Sequence, residues 1–261
     1  MKKFYLFFIY LFSLLSVNAQ NNVDEPIATI KILWVGNSFT YFNDLPEMVS
    51  KLAATQGLKV ENTTVLKGGE KLSGHFRNPE LMKQLEKGGW DYMVLQEQSS
   101  NPAYSTKFVA DSVFPFAHSI DSIAHVYSPG MKTIYYMTWG HKNGSLRQTD
   151  YPLDDSYETM QDRIKTTYID LAYENNGWCA PVGLAWKKIR EEHPEIELYI
   201  EDNFHPSLAG SYLAACTILA TILQEDFESS FIADLDITEA LILQETAQET
   251  LRSNQNILIR P

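Results

Sequence analysis

The sequence predicts an α/β fold of the flavodoxin-like type, a three-layer sandwich in which a parallel sheet carries helices on both faces. Short apolar runs of strand length alternate with longer segments whose apolar residues recur at helical spacing. Parallel strands need a crossover between them, usually a helix, so this alternation is typical of βαβ units. The 261 residues, 44% of them hydrophobic, suit one large domain with one core better than two domains.

The elements follow one another in a regular order along the chain. Strands are predicted over residues 28–35, 59–66, 91–95, 132–138 and 180–182, where apolar runs are short. Helices are predicted over residues 45–56, 79–87, 108–127, 157–174, 183–192, 207–223 and 238–251. The first helix has apolar residues at Leu45, Met48, Val49 and Leu52, and Gly88 and Gly89 end the second.

Residues 1–19 have the features of a secretory signal peptide. Lys2 and Lys3 give a basic start, residues 4–15 are an apolar core, and Val17 and Ala19 are small enough for cleavage. A membrane anchor is the alternative, but the apolar core is short for a bilayer and has no basic stop-transfer flank. The sequence therefore predicts an exported protein, periplasmic or extracellular, whose folded domain spans residues 20–261.

The charge of the chain argues against two classes of partner. Of 21 Lys and Arg residues two lie in the predicted signal peptide, so 19 basic side chains stand against 33 acidic ones, a net charge near −14. A field of this sign repels nucleic acid and anionic membrane surfaces. We expect no nucleic-acid partner and no stable membrane insertion after cleavage, and the sequence leaves the oligomeric state open.

Two cysteines, Cys179 and Cys216, are too few for a disulfide scaffold, although an exported protein could pair them. Cys216 lies in an apolar helical pattern, which favours two buried free thiols over a bridge. Neither cysteine nor any histidine has the spacing of a metal-ligand set, so no metal and no organic cofactor is predicted.

Ligands of such sheets collect at the carboxyl ends of the strands, so the residues just after each strand are the first candidates for a site. Ser38 follows the first strand in "WVGNSFT". A serine on a turn between a strand and a helix has an exposed hydroxyl and can be a nucleophile. The alternative is that Ser38 only caps the following helix.

A serine nucleophile needs a base, and His205 has the most suitable surroundings of the six histidines. It lies in "EDNFHPSLAG", with Asp202 three residues earlier. In one tight loop the carboxylate can hold one imidazole nitrogen while the other reaches outward, as a catalytic triad requires. The alternative for Asp202 is a turn residue, and Pro206 also suits the first turn of the next helix.

The two blocks "VGNSFT" and "DNFHP" resemble those of the SGNH hydrolase superfamily, also called GDSL-like esterases. They bracket nearly the whole of residues 20–261, and the overall pattern is similar to a subgroup from exported bacterial repertoires that is largely of unknown function. The resemblance implies that Ser38 is the nucleophile, His205 the general base and acid, and Asp202 its orienting carboxylate.

The resemblance also implies the donors of an oxyanion hole. The first is the N–H of Ser38, and the second is a glycine N–H in "LKGGEKLSGHF", assigned to Gly69 with Gly68 as the alternative.

The third donor of the superfamily is an asparagine in Gly-x-Asn-Asp, which is absent after the third strand. The sequence there, "VLQEQSSNP", is similar to the Gln-Gly-Glu-Ser block of the sialate acetylesterase-like branch. This similarity favours Gln96, with Gln98 and Asn101 as alternatives.

The substrate is predicted from export, the acetylesterase-like glutamine and the residues near the mouth. Asn37 and Trp139 are candidate substrate contacts, and the polar stretch 140–155 could form a rim. A tryptophan near a mouth can stack on a sugar ring, although Trp139 could equally belong to the core. We expect an exported serine esterase that removes short acyl groups, such as acetyl, from carbohydrate. The alternatives are a lysophospholipase or thioesterase, and a catalytically inactive glycan-binding module.

Overall fold

The structure is a computed structural model, and it describes residues 28–144 and 156–258. The predicted signal peptide, residues 1–19, lies outside the described residues, and so does most of the predicted polar rim. The boundary of the folded domain at residue 20 therefore stays a prediction.

A five-stranded parallel sheet forms the middle layer, which confirms the predicted fold class. The strands lie in the order β2-β1-β3-β4-β5. They are β1 Ala28–Gly36, β2 Leu58–Leu66, β3 Tyr92–Leu95, β4 Lys132–Tyr136 and β5 Trp178–Ala180. The chain reverses its direction of travel across the sheet between β1 and β3, which leaves a crevice at the carboxyl ends of these two strands.

Helices cover both faces of the sheet. They are α1 Ser38–Tyr41, α2 Leu45–Ala54, α3 Leu72–His75, α4 Pro79–Lys87, α5 Thr106–Ser112, α6 Phe114–Tyr127, α7 Tyr157–Glu174, α8 Val182–Glu192, α9 Leu208–Leu223 and α10 Ile237–Leu258. In one layer α9 packs against α2, α8 and α10. In the other, α6 packs against α4 and α5, and α7 packs against β4 and β5.

The most deeply buried elements are those that the sequence makes apolar without alternation. Residues 32–35 of β1 are wholly buried, as expected for a parallel strand covered on both faces. Helix α9 is buried along nearly its whole length, which explains its apolar character all round. Cys179 on β5 and Cys216 on α9 are both free and buried, which confirms the prediction of two free thiols.

Two predicted elements differ from the structure for the same reason, a proline without an N–H. The helix predicted over residues 108–127 is two helices, α5 and α6, which meet at Val113. Pro115 cannot donate to the carbonyl four residues earlier, so the helical ladder is interrupted there. The last strand ends at Ala180 rather than at residue 182, because Pro181 cannot continue the strand pairing.

Candidate active site

Ser38 is the first residue of α1, at the carboxyl end of β1. The cap of α1 is Asn37, whose Oδ1 accepts a hydrogen bond from the Phe39 N–H at 3.2 Å. The alternative in which Ser38 itself is the cap is therefore wrong, and its hydroxyl is available to another partner. Gly36 makes the tight turn possible, because a Cβ there would lie 2.6 Å from Oε1 of Gln96.

The loop that carries His205 is shaped by Asp202. Oδ1 of Asp202 accepts hydrogen bonds from the main-chain N–H groups of Phe204 at 3.0 Å and His205 at 2.9 Å. Asn203, between Asp202 and Phe204, has a φ of +65°, a conformation that asparagine tolerates better than most residues. An isolated antiparallel bridge between Tyr199 and Pro206 closes the base of the loop.

The structure brings Ser38, His205 and Asp202 into one chain of hydrogen bonds. Nδ1 of His205 lies 2.6 Å from Oδ2 of Asp202, and its Nε2 lies 2.7 Å from Oγ of Ser38. An ionised carboxylate can only accept, so Nδ1 carries the proton and Nε2 accepts from the serine hydroxyl. This is the arrangement of nucleophile, base and orienting acid found in catalytic triads.

Hydrogen bonding keeps Asp202 in its charged form. Partial burial acts to raise the pKa of Asp202, but hydrogen bonds from the His205 ring and from the N–H groups of His205 and Phe204 outweigh it and hold this pKa below its usual range. The carboxylate is thus ionised at neutral pH, as required of a group that holds the imidazole in one tautomer.

Aromatic rings fix the orientation of His205. The ring of Phe42 stacks on the imidazole, with centroids 4.3 Å apart and planes 6° apart, and Phe39 contacts its edge at 5.6 Å. Behind them Nε1 of Trp139 donates to the carbonyl of Phe204 at 3.0 Å. The loop is therefore braced from the core as well as by its own hydrogen bonds.

Trp139 is not a substrate contact, contrary to the sequence prediction. It is fully buried, with its ring stacked between Phe39 at 4.6 Å and Trp186 at 3.7 Å. Both ring faces are covered, so no sugar can reach them. Trp139 supports the histidine loop instead, through its bond to Phe204.

Asn37 is also buried, and the structure does not support its prediction as a substrate contact. Its Nδ2 donates to the carbonyl of Glu70 at 3.0 Å, while its Oδ1 caps α1. These bonds tie the serine turn to the chain that follows β2. Asn37 is thus a positioning residue for the turns around Ser38.

Gly68 and Gly69 form an exposed turn held beside the serine turn. The N–H of Lys67 donates to the Gly36 carbonyl at 3.2 Å, and the N–H of Glu70 donates to the Lys67 carbonyl at 3.0 Å. Gly69 has a φ of +67°, which suits glycine. Within the part of the chain that the structure describes, neither glycine N–H bonds to an acceptor. Either N–H can therefore donate to a ligand.

The prediction that Gln96 donates to an oxyanion is contradicted. Its side chain is fully buried, and Oε1 accepts from the Asn37 N–H at 2.9 Å and from Oγ1 of Thr40 at 3.0 Å. Its Nε2 donates to the main-chain carbonyl of Glu97. The N–H of Asn37 lies buried at the end of β1 and needs an acceptor, which Gln96 supplies. Gln96 therefore stabilises the serine turn through these buried hydrogen bonds.

The two alternatives to Gln96 differ in how their amides are used. Nδ2 of Asn101 donates to Oε1 of Glu97 at 3.1 Å in the buried interior. Gln98 is half-buried, and its Oε1 accepts from the N–H groups of Ser100 at 3.0 Å and Asn101 at 3.2 Å. Its Nε2 contacts only the hydroxyl of Ser99 at 3.3 Å among the described residues. Gln98 is thus the alternative whose N–H₂ group is least committed.

Sequence reasoning missed Glu97, which lies between the two glutamines. The side chain is fully buried and accepts hydrogen bonds from Leu72 N–H, Gln98 N–H and Asn101 Nδ2. Burial raises the pKa of Glu97 to about 7, against the opposing effect of these donors. A charged residue at the end of an apolar strand, inside "VLQEQ", is the signal that could have identified it.

His75, another of the six histidines, lies beneath the same turns. It is buried, and its Nε2 donates to the Gly36 carbonyl at 2.8 Å. Burial lowers the pKa of His75 more than this hydrogen bond raises it, so the ring is neutral at pH 7. His75 thus holds the end of β1 without taking part in the hydrogen-bond chain of Ser38.

Residues 28–144 and 156–258 contain neither a membrane-spanning helix nor a cluster of metal-binding side chains. No helix there is both long and apolar enough to cross a bilayer. No group of three or more His, Cys, Asp and Glu side chains there is arranged to hold a metal ion.

Several solved structures share this architecture. No family model matches the sequence, and no curated protein matches it significantly. A DUF4886 family protein from Bacteroides uniformis shares the fold with a TM-score of 0.72 at 19% identity, over 86% of this chain and 95% of that one. A protein from Slackia heliotrinireducens, assigned as an SGNH hydrolase, has a TM-score of 0.59 at 27% identity, over 74% and 99%. An acetylxylan esterase from Geobacillus stearothermophilus has a TM-score of 0.54 at 17% identity, over 78% and 99%.

The fold defines the class as a three-layer α/β protein of the flavodoxin type, with the candidate site at the strand-order switch between β1 and β3. The protein from Slackia heliotrinireducens, at 27% identity over 74% of this chain, confirms the resemblance of the sequence blocks to the SGNH hydrolase superfamily.

Proposed function

We propose that this protein is an exported serine esterase that removes short acyl groups, acetyl first among them, from carbohydrate. The observation that carries the proposal is the chain of hydrogen bonds from Asp202 through His205 to Ser38, with distances of 2.6 and 2.7 Å. Such a chain activates a hydroxyl that is otherwise a weak nucleophile at neutral pH. Export rests on the signal-like sequence of residues 1–19.

The reaction is acyl transfer from an ester to water. Nε2 of His205 takes the proton of Ser38 as Oγ attacks the ester carbonyl carbon. The intermediate collapses, the bond to the alcohol oxygen breaks, and His205 protonates the leaving alcohol. Water then attacks the acyl-enzyme with His205 as the base, which releases the carboxylic acid and restores the Ser38 hydroxyl.

The oxyanion is held by the N–H of Ser38, by the N–H of Gly69 or Gly68, and by Nε2 of Gln98. Ser38 begins a helix, so its N–H has no partner within α1. The glycine turn is held beside Ser38 by the Asn37 side chain, and Gln98 has the amide least engaged elsewhere. One donor of this kind typically contributes about 10² to 10³ in rate.

An exposed aromatic ring beside the nucleophile supports a carbohydrate substrate. Tyr41, three residues after Ser38, is 43% exposed. Its hydroxyl lies 3.0 Å from the position that a Cβ of Gly68 would occupy, and its ring stacks on Phe42 at 5.8 Å. Because Phe42 in turn stacks on His205, Tyr41 extends a row of rings outward from the base. An exposed ring there suits the apolar face of a sugar better than the buried Trp139 does.

The structural relative that acts on an acetylated glycan gives further support. The Geobacillus protein is an acetylxylan esterase, and this chain shares its fold over 99% of that chain. At 17% identity the likeness concerns the fold, so the substrate remains our proposal.

The test is acetate release by the purified protein from a panel of acetylated polysaccharides, with Ser38→Ala as the matched control. We expect release by the wild type and none by the variant, together with labelling of Ser38 by a fluorophosphonate in the wild type only. Equal hydrolysis of p-nitrophenyl acetate by both proteins would rule out the esterase. A rate that rises along p-nitrophenyl esters from acetyl to long acyl chains would favour the lipid hydrolase instead. Glycan binding without labelling or turnover would favour the inactive binding module.

A further inference from the structure

Glu97 has a setting that is unusual for a carboxyl group. Its side chain is fully buried, and no Lys or Arg among the described residues forms an ion pair with it. Taking an unpaired carboxylate out of water costs several kcal/mol unless hydrogen bonds compensate. The hydrogen-bond donors around the carboxyl group therefore indicate what it does in the fold.

Those donors come from two different segments of the chain. Oε2 accepts from the N–H of Leu72 at 3.2 Å, and Leu72 begins α3 three residues after Gly69. Oε1 accepts from the N–H of Gln98 at 2.6 Å and from Nδ2 of Asn101 at 3.1 Å. One carboxylate thus joins the chain that follows the glycine turn to the loop that follows β3.

A further contact fixes Glu97 itself. Its main-chain N–H donates to the hydroxyl of Tyr168 on α7 at 3.1 Å. The carboxylate therefore extends from an anchored position and can hold the other two segments at a set distance.

We propose that Glu97 is a positioning residue that keeps the glycine turn and Gln98 at the spacing needed to bind one oxyanion. This inference rests on the proposed esterase function and deepens it. Glu97 does not touch the reacting atoms. Its hydrogen bond from the Leu72 N–H fixes the main chain that follows the glycine turn, and so positions the glycine N–H. Its hydrogen bond from the Gln98 N–H positions the Gln98 side-chain amide.

The ionisation of Glu97 provides a readout that a merely structural residue would not give. A charged carboxylate can accept all three hydrogen bonds, whereas the protonated form carries a proton that opposes one donor. Its pKa lies near 7 because of burial, and among the described titratable groups Lys71 and Tyr168 face it. The acid limb of the activity profile should therefore contain an ionisation from Glu97.

The experiment compares Glu97→Gln with the wild type. Kinetics with p-nitrophenyl acetate between pH 5 and 9 give kcat, KM and the steepness of the acid limb. We expect kcat to fall roughly 10- to 100-fold, since small misplacements at an oxyanion hole cost about this much. KM should change little, and the acid limb should lose one ionisation.

Asp121→Asn is the matched control. Asp121 is another buried carboxyl group whose pKa is raised by burial, but it lies on α6 with His125 as its neighbour. This variant should keep the kcat and the acid limb of the wild type. The proposal is overturned if Glu97→Gln keeps kcat within twofold with an unchanged acid limb, or if Asp121→Asn shows the same loss.

Asn101→Ala keeps the proposal testable if Glu97→Gln does not fold. It removes one donor to the carboxylate and leaves those from Leu72 and Gln98, so the Glu97 ionisation should move to higher pH. An unchanged acid limb in folded Asn101→Ala also overturns the proposal. Ser38→Ala, measured alongside, separates the two levels. If Ser38→Ala loses activity and Glu97→Gln behaves like the wild type, only the role of Glu97 is overturned. If Ser38→Ala is as active as the wild type, the esterase function and this inference are both overturned.

Discussion

Nε2 of His205 lies 2.7 Å from Oγ of Ser38, although 167 residues separate them in the chain. Ser38 lies at the end of β1, and His205 lies in the loop before α9. Helix α9 packs against α2, and α2 is the helix that follows the serine turn. Asn43 adds a direct tie, since its Nδ2 donates to the carbonyl of Ser207 at 3.0 Å and to Oγ of Ser211 at 2.8 Å. The sheet and two helices thus set the distance between nucleophile and base.

Replacing the base should cost more than replacing the carboxylate that orients it. We expect His205→Ala to lower kcat by about 10⁴- to 10⁶-fold, because the base that takes the serine proton is removed. Asp202→Ala should cost less, roughly 10³- to 10⁴-fold, because the imidazole stays but loses its fixed tautomer. Steady-state kinetics with p-nitrophenyl acetate measure both. Equal and mild losses in the two folded variants would contradict these roles.

Gln98→Ala should reduce turnover with little effect on stability. Its Nε2 is the third donor in our proposal, and loss of one such donor costs about 10² to 10³ in kcat. Gln98→Glu is a useful companion, because it keeps the shape and the acceptor atom for Ser100 and Asn101 but brings a negative charge to the oxyanion. If kcat is unchanged in Gln98→Ala, the third donor is another group.

Gln96→Ala should act mainly on stability. It leaves the buried N–H of Asn37 and the Thr40 hydroxyl without their acceptor, which costs about 1–3 kcal/mol for the N–H alone. Gln96→Glu keeps an acceptor atom there but buries a second carboxylate beside Glu97, which costs free energy of its own, so Gln96→Ala is compared with the wild type. Urea unfolding of the variants provides the free energies. A stable Gln96→Ala protein with greatly reduced kcat would show that Gln96 acts in turnover after all.

Tyr41→Ala should separate glycan esters from small ones. Removing the exposed ring should raise KM for an acetylated oligosaccharide about tenfold, since stacking on an aromatic ring contributes about 1 kcal/mol or more. KM for p-nitrophenyl acetate should stay near the wild-type value, because that ester needs no sugar platform. Tyr41→Phe keeps the ring and should behave as the wild type. Equal effects of Tyr41→Ala on both substrates would argue against a sugar platform.

Glu97 should make the stability of the wild type fall as the pH rises through its own ionisation. Its pKa is about 7 in the folded chain against an ordinary value of 4.5, so the folded chain binds a proton between these values that the unfolded chain has released. The stabilisation is present below pH 4.5 and lost above pH 7, by up to about 3 kcal/mol. Urea unfolding at pH 5 to 8 should show this fall relative to Glu97→Gln, in which the group cannot titrate. The ionisation of His75 affects the stability of both proteins equally, so it cancels in the comparison. Parallel curves of unfolding free energy against pH for the two proteins would contradict the prediction.

The sequence determined what depends on neighbours along the chain. Alternating apolar runs and helical patterns predicted the parallel sheet and the elements on its faces. The pair Asp202 and His205 was also predictable, because three residues in one loop are enough to bring carboxylate and imidazole together. The turn after β1 was predictable for a similar reason, since Gly36 and Ser38 mark where a buried strand ends.

Only the tertiary structure decided the parts that depend on distant partners. Gln96 turns its oxygen toward the serine turn because the buried Asn37 N–H, 59 residues away, needs an acceptor. Trp139 is enclosed because Phe39 and Trp186 cover its two faces. Glu97 joins two segments that the sequence treats as separate blocks. In each case the residue type is equally suited to a site or to the interior, and the choice follows from which groups the fold brings within bonding distance.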